Sequence, residues 1–505
     1  GDGSQHGARS QDRIRRQSGR RIGAASAWSR IVTTGRAYDA VIVGSGPNGL
    51  AAAITLAEAG RSVVVLEAKD TVGGGMRSAE LTLPGFMHDI CSAIHPLLVG
   101  SPFFDKLDLE RYGAKLVHPE VPFAHPLDGG RAGLLYRSVD ETADALGPDA
   151  SAYRKLVEPL VKDFDNLRHD FFGPLRVPRH PLTMARLGLH FLTPVTRLVK
   201  RFQTDEAAGM FAGMASHTML PLEAPVTATF ALFFAALGHA VGWPAVAGGS
   251  QKIADAMAAH LDSLGGEVRT STPVASLDDI PEARCVLLDV SPRQLLDIAG
   301  DRLSPRFQRE ARKFRYGPGA FKVDWALREP IPWTAPQVAR AGTVHVVGTA
   351  QEAAESERSV SQGRHADKPF VLLAQQTMFD PTRAPEGRHT AWAYCHVPAG
   401  SKTDMTAAIE RQIERFAPGF KDVVLARSTI DPGQLHDYNA NYVGGDIAAG
   451  VIDIRQLFTR PSTRWNPYTT SARDILICSS STPPGPGVHG MGGMLAAKTA
   501  LKRVL

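Results

Sequence analysis

Asp39-Ala-Val-Ile-Val-Gly-Ser-Gly-Pro-Asn-Gly-Leu-Ala-Ala-Ala53, followed by Val63-Val-Val-Leu-Glu67, is the stretch that decides the fold. It reads as an apolar strand, a glycine turn, a helix, a second apolar strand and an acid at that strand's end. This order is the fingerprint of a βαβ unit that binds a dinucleotide. Gly44 makes the tight turn, and Gly46 lets the backbone approach a pyrophosphate. Gly49, Ala53 and Gly60 are expected to keep the helix close to the sheet. Pro47 suits the first helical turn, where its missing N–H costs nothing. The helix N-terminus then offers free N–H groups and a positive dipole to phosphates. Glu67 stands where a ribose hydroxyl needs an acceptor. A bare GxGxxG is weak, but here it has its strand, its helix and its acid.

The 505 residues suffice for two or three domains, and 43% hydrophobic residues give a large core. The formal net charge of +5 invites a nucleic-acid reading. Its distribution removes that reading. Residues 1–37 carry eight Arg against Asp2 and Asp12, a net +6, which leaves −1 for the rest. No basic stripe with interleaved aromatics follows, so no nucleic-acid partner is expected. Residues 1–37 lack an apolar h-region and are read as a disordered or vector-derived leader, with a basic transit peptide as the alternative. The expected location is cytoplasmic, with a membrane-associated variant, or mitochondrial if the leader is native. Four scattered cysteines (91, 285, 395 and 478) form no CxxC and no metal-ligand spacing. They suggest a reducing compartment and no metal site.

Further along, Gly73-Gly-Gly-Met-Arg77-Ser78 is a second glycine-rich loop, just past the ribose-binding acid. From Ala207 to Ser250 the only charge is Glu223. Its segment between Pro225 and Pro244 carries no charge and reads as a buried helix lining an apolar cavity. The alternatives are a surface dipping into a bilayer and a true span, whose lower length limit it reaches. Gly248-Gly-Ser250 opens an amphipathic helix, and Glu267–Ala275 and Val286–Pro292 read as short strands. Residues 315–445 alternate strand-like runs (Phe321–Leu327, Thr343–Val347, Phe370–Gln375, His389–His396) with a helix over Thr403–Phe416. Ile475–Ser479 reads as a buried strand, and Leu495–Val504 as an Ala-rich helix. No second strand–GxGxxG–helix unit occurs in the sequence.

Taken in order, Gly44–Gly49 with Glu67, the Gly73–Ser78 loop, Gly242-Trp-Pro with Gly248-Gly249, Asp324-Trp-Ala-Leu with Pro332-Trp333, Ala417–Asp422, and Pro484-Gly-Pro-Gly-Val-His-Gly-Met491 resemble the phytoene-desaturase-like flavoproteins. Within these the chain is similar to the branch of pyridine nucleotide-disulfide oxidoreductase domain-containing protein 2. The resemblance covers residues 38–505. It implies a mixed α/β fold: a discontinuous Rossmann-type FAD domain (38–140, 246–310 and 450–505) and a substrate domain of antiparallel sheet and helices (141–245 and 311–449). It implies bound FAD. Gly44, Gly46, Pro47 and Gly49 would hold the pyrophosphate, Glu67 the adenosine ribose, and Gly74 and Gly75 the phosphates. Gly75 stands where many amine-oxidase relatives carry Arg, so Arg77 would serve the phosphate instead. Val274 would meet the adenine. Gly487, Val488 and Met491 would lie near the isoalloxazine, with the last helix pointing its N-terminus at the flavin. Ser479–Pro484 departs from the desaturases proper.

Flavin chemistry asks the protein mainly for placement in a dry cavity. Candidates to assist it are His239, Trp243, Asp89, His95 and His489. Each has a bland counterpart: a hydrogen-bonded core histidine, a packed tryptophan or a capping side chain. The expected function is an FAD-dependent oxidoreductase, a desaturase or oxidase. It would move a hydride from an apolar or amine-bearing small molecule to the flavin N5, with oxygen or a quinone as acceptor. A flavin-dependent isomerase and a non-catalytic binding protein on the same fold are the competing readings. The missing CxxC and the single dinucleotide fingerprint argue against pyridine-nucleotide–disulfide chemistry.

Overall fold

In the computed structural model the fingerprint strand Tyr38–Val43 lies at the centre of a five-stranded parallel sheet. The model describes residues 37–174 and 178–505; the leader expected over 1–37 lies, but for Ala37, outside the described residues. The strand order is Ile475–Ile477, Ala283–Leu288, Tyr38–Val43, Val63–Leu66, Glu267–Arg269. Ala40 pairs with Val63 on one side and with Cys285 on the other. Val63–Leu66 and Ile475–Ile477 are apolar and buried throughout, as strands covered on both faces are, whereas the edge strand Glu267–Arg269 is half-buried and carries charge at both ends. The fingerprint helix Pro47–Glu58 packs on one face together with the C-terminal helix Met491–Arg503 and the helix Gln251–Ser263.

Gly49 makes the expected close approach: a Cβ there would sit 2.0 Å from the Gly44 carbonyl oxygen. Gly60 does not. Nothing lies within 4 Å of its Cβ position, and its φ of +73° instead provides the left-handed turn that ends the helix.

The second sheet has seven strands, in the order Val424–Ile430, Gly319–Leu327, His389–Val397, Val371–Ala374, Ala341–Val346, Val121–Leu127, Arg131–Leu135. All its pairings are antiparallel except Ala341–Val346 with Val121–Leu127. The four strands read between 321 and 396 are all present. The expected domain boundary at 140 falls too late, because strands 121–127 and 131–135 belong to this second sheet. Val121–Leu127 is buried at all seven positions and carries Pro122 and Pro126. It therefore lacks alternation and reads as a loop.

The charge-poor stretch folds as two helices, Asp205–Ser216 and Thr227–Ala240. The second has 14 residues, of which 11 are buried. At about 1.5 Å per residue it is near 20 Å long, short of a hydrocarbon core. It is a core helix and presents no apolar face to a bilayer. Among the described residues no helix is long and apolar enough to cross a membrane.

Candidate active site

The fingerprint turn opens onto a cavity of about 380 Å³ at the carboxyl end of the parallel strands. That is where open α/β sheets bind ligands. Of the residues expected to hold a cofactor, Gly44, Gly46, Pro47, Glu67, Gly74, Gly75, Arg77, Val274, Gly487 and Val488 all line it. Residues more than 400 positions apart are thus brought to one wall. Gly49 lies one turn inside, and Met491 lies at the start of the C-terminal helix, outside the lining.

Glu67 is the hub of one end of the cavity. Its Oε2 accepts from the Ser45 N–H at 2.9 Å and the Ser45 hydroxyl at 2.5 Å. Its Oε1 accepts from the Lys69 N–H at 2.9 Å and from Arg77 Nη2 at 3.2 Å. The four acceptor positions of a carboxylate are then all used. Arg77 also donates to the Thr71 carbonyl and lies over the Tyr438 ring, 5.3 Å from its centroid. The Gly73 N–H donates to the Ser45 carbonyl, which ties the second glycine loop to the first.

The floor is bare backbone. A Cβ on Gly74 would approach Gly46 Cα to 3.0 Å, and one on Gly46 would lie 2.8 Å from Asp289 Oδ2. A Cβ on Gly75 would lie 2.3 Å from the Tyr442 hydroxyl, so a side chain there requires that ring to move. Such a side-chain-free floor beside a helix N-terminus, with an acid at the ribose end, fits the diphosphate and ribose of a dinucleotide.

Two helix N-termini meet at this floor. The Gly493 N–H donates to Asn48 Oδ1, and the Asn48 amide donates to Ser480 Oγ. His489 closes the turn before the C-terminal helix. Its Nδ1 accepts from the Met491 N–H at 3.1 Å, which leaves Nε2–H to donate to the Gly485 carbonyl. Burial lowers its pKa to about 4, so the ring is neutral at pH 7.

The candidate catalytic side chains have internal partners and do not line the cavity. His239 Nε2 contacts the Tyr153 hydroxyl at 2.6 Å, and its Nδ1 contacts the Arg137 carbonyl at 3.2 Å. Burial takes its pKa to about 4. Trp243 donates to Thr343 Oγ1 and packs edge-on against Phe123 and Phe234. Asp89 accepts from Arg383 at 2.8 Å, the Ser250 N–H and the Ser78 hydroxyl. Burial is the strongest influence and opposes its charge, but Arg383, the Ser250 N–H and the Ser78 hydroxyl together hold its pKa below the ordinary value. His95 is held by Ser250 Oγ at 2.7 Å. These contacts pin loops and helix ends together.

The reading of the sequence did not include Asp289, Tyr438, Asn441 and Tyr442, which all line the cavity. Asp289 ends the strand Ala283–Leu288 and accepts from the Gly49 N–H at 2.9 Å. An acid at the carboxyl end of an apolar strand was the available signal. Asn441 bridges the Ser291 N–H and the Asp289 carbonyl, fastening the 437–442 segment over the site. Behind Cys91 lies a buried ion pair of Lys322 and Asp324, with His88 Nδ1 3.5 Å from Asp324 and the Trp392 ring beside Lys322. Nothing in the periodicity of the strand Gly319–Leu327 marks that pair.

Burial, with the nearby Glu67 charge, pushes the Asp289 carboxyl up to about 7 against the pull of the Gly49 N–H. Its folded pKa exceeds the ordinary 3.8, so the folded chain binds a proton that the unfolded chain has lost. This contribution to stability is present in acid and is lost as pH rises through about 7. Asp289→Asn keeps an acceptor for Gly49. It is expected to flatten the fall in melting temperature between pH 5 and 8 in thermal denaturation of the flavin-free chain. An unchanged slope would remove this assignment.

Residues 48–302, half of the chain, match the family described as flavin containing amine oxidoreductase. The chain belongs to this family. It is an FAD-dependent oxidoreductase, and the resemblance to phytoene-desaturase-like flavoproteins holds. Pyridine nucleotide-disulfide oxidoreductase domain-containing protein 2 of Mus musculus is 26% identical, over 92% of this chain and 93% of the relative. A hydroxyneurosporene desaturase of Cereibacter sphaeroides is 30% identical, over 47% of this chain and 50% of its own. The crystal structure of an oxidoreductase from Methanosarcina mazei superposes with a TM-score of 0.63 at 17% identity, over 92% of this chain and 99% of that one. The flavoprotein thus shares its fold along nearly the whole described length.

Proposed function

We propose that this flavoprotein oxidises an apolar small molecule, as a desaturase or dehydrogenase, with FAD held in the cavity below Gly44–Gly49. When bound, FAD supplies a two-electron acceptor at its N5. The observation that carries the apolar reading is the charge-free helix Thr227–Ala240, which lies behind the motif expected beside the flavin. His489 of that motif contacts the Phe172 ring at 5.7 Å, Phe172 contacts Phe233 at 6.0 Å, and Phe171 stacks on Phe233 at 3.5 Å. The imidazoles bordering this region are neutral: burial takes His239 to about 4 and His217 to about 3. An uncharged aromatic surround binds hydrocarbon well and offers an ammonium no counter-carboxylate.

In this reading Gly44, Gly46 and Gly74 leave room for the diphosphate, and the N–H groups of the fingerprint helix face it. Glu67 accepts from the adenosine ribose. Its acceptor positions are full, so a ribose hydroxyl must take the place of one donor. The long Arg77 side chain is the one free to turn toward the phosphates. Asp289 adds a pH dependence, because an anion placed near it favours its protonated form. Flavin retention falls as pH rises through about 7. With one dinucleotide fingerprint in the sequence, oxygen or a quinone would serve as the electron acceptor.

Anaerobic mixing with polyenes, lipids and amines tests the assignment. Bleaching of the flavin absorbance by an apolar compound supports it. Bleaching by amines alone overturns the apolar reading. A product formed from pre-reduced protein with no acceptor consumed makes the enzyme an isomerase.

A further inference from the structure

We propose that the segment from Arg179 to Arg201 is a docking surface for an anionic lipid bilayer. Leu182, Leu189 and Leu192 are 82%, 80% and 69% exposed, and all three fall on the helix Pro181–Gly188 and the turn that follows it. Phe458, 58% exposed, joins them because its ring contacts Phe191 at 6.1 Å. Scattered exposed leucines need no explanation, but four large apolar side chains in one neighbourhood do.

The charge around them selects the partner. Residues 171–204 hold six Lys or Arg and no Asp or Glu. Arg179, Arg197, Lys200 and Arg201 are exposed and make no ion pair among the described residues. The flanking acids are already engaged. Asp163 pairs with Arg186, Asp165 with Arg168, and Asp205 and Glu206 with Arg131. Asp170 accepts the backbone N–H groups of Arg179 and His180. Exposed leucines that can enter the acyl boundary, on one segment with exposed and unpaired cations, are the signature of an interfacial element on a negatively charged membrane. A groove for an apolar protein partner would not need those unpaired positive charges.

The position also suits delivery of an apolar molecule. The Phe191 carbonyl accepts from the Val226 N–H just before the helix Thr227–Ala240. Phe191 and Phe230 pack on one cluster with Leu220 and Val226, and Phe230 meets Phe171 at 5.9 Å. The aromatic series that ends at His489 therefore begins under the docking surface. Membrane docking itself does not depend on the substrate reading, since it rests on surface residues alone.

Flotation of the full-length, flavin-loaded chain with phosphatidylcholine vesicles, and with vesicles that also contain phosphatidylglycerol, tests the proposal. Binding is expected to the phosphatidylglycerol vesicles and to weaken as salt rises. The combined variant Leu182→Ser, Leu189→Ser, Leu192→Ser should retain its flavin and lose binding by roughly tenfold or more. Arg197→Glu with Lys200→Glu and Arg201→Glu should abolish the preference for anionic lipid. No binding to either vesicle overturns the proposal. So does a wild-type dimer in solution that the leucine variant converts to monomer without any vesicle binding, which would make the patch an interface between copies. Because the flavin spectrum reports the substrate site separately, failure here leaves the proposed chemistry standing.

Discussion

Glu67→Ala is expected to yield a protein that purifies colourless and binds added FAD on the order of 100-fold more weakly, equivalent to the loss of one or two charge-assisted hydrogen bonds. The carboxylate holds four donors: the Ser45 N–H, the Ser45 hydroxyl, the Lys69 N–H and Arg77. Arg77 and Glu67 are both nearly buried, with side-chain exposures of 9% and 8%. Removing the acid leaves a buried guanidinium with only the Thr71 carbonyl and the Tyr438 ring. Breaking a buried pair in this way costs about 3–5 kcal/mol. Two measurements separate the effects: fluorescence titration with FAD, and thermal denaturation of the flavin-free chain. Unchanged affinity with lowered stability would make Glu67 a structural post for the glycine loops and end its ribose assignment. Glu67→Gln, which keeps acceptor oxygen but not charge, should fall between the two.

Gly493→Ala is expected to lose both flavin and stability, in the opposite direction to helix propensity. In a helix interior, Ala is favoured over Gly by roughly 1 kcal/mol. Here a Cβ would lie 1.8 Å from the Asn48 carbonyl oxygen, 2.7 Å from the Asn48 carbonyl carbon and 2.8 Å from the Ala52 nitrogen. These are backbone atoms of the fingerprint helix and cannot turn aside. The two helices must separate, and with them the two N-termini at the cavity floor. Overpacking of this kind costs about 1–3 kcal/mol or more. Gly188→Ala is the internal control. Its Cβ position meets nothing within 4 Å, so the variant should melt at or slightly above the parent temperature. If Gly493→Ala behaves like Gly188→Ala, the helix crossing is not what aligns the floor.

Much of the flavin end was legible because it is local. Gly44, Gly46, Gly49 and Glu67 occupy one βαβ unit of 30 residues from Tyr38 to Glu67, where strand, turn and helix leave separate marks. The Gly73–Ser78 loop follows directly. Gly487 and Val488 were reached through resemblance, since no rule of spacing joins them to Gly44. Asp289 and Tyr442 escaped notice for a physical reason. Each belongs to an ordinary segment and gains its place only when the strand Ala283–Leu288 and the 437–442 segment come to the same cavity. The edge strand Val424–Ile430 was missed because its half-buried face carries little hydrophobic contrast. Val121–Leu127 was assigned to the wrong lobe because two prolines masked a fully buried strand.

The histidines show the same division. His239 and His95 could be picked from the sequence as titratable groups in apolar or glycine-rich settings. Only their neighbours decide their use: Tyr153 and the Arg137 carbonyl for one, Ser250 and Ser92 for the other. A buried, doubly bonded, neutral imidazole positions a loop more readily than it exchanges a proton.

By itself the sequence determined the class of fold, the dinucleotide fingerprint and the charge-poor segment, because short-range periodicity and glycine geometry are written in consecutive residues, and its resemblance to known flavoproteins added the FAD reading. Only the tertiary structure decided that this segment is buried rather than membrane-facing, that Gly493 and not Gly60 sets a helix contact, and that the exposed leucines lie on the 181–192 stretch. Those outcomes depend on which surfaces meet. Burial and close approach are properties of pairs of distant segments, and no single segment carries them.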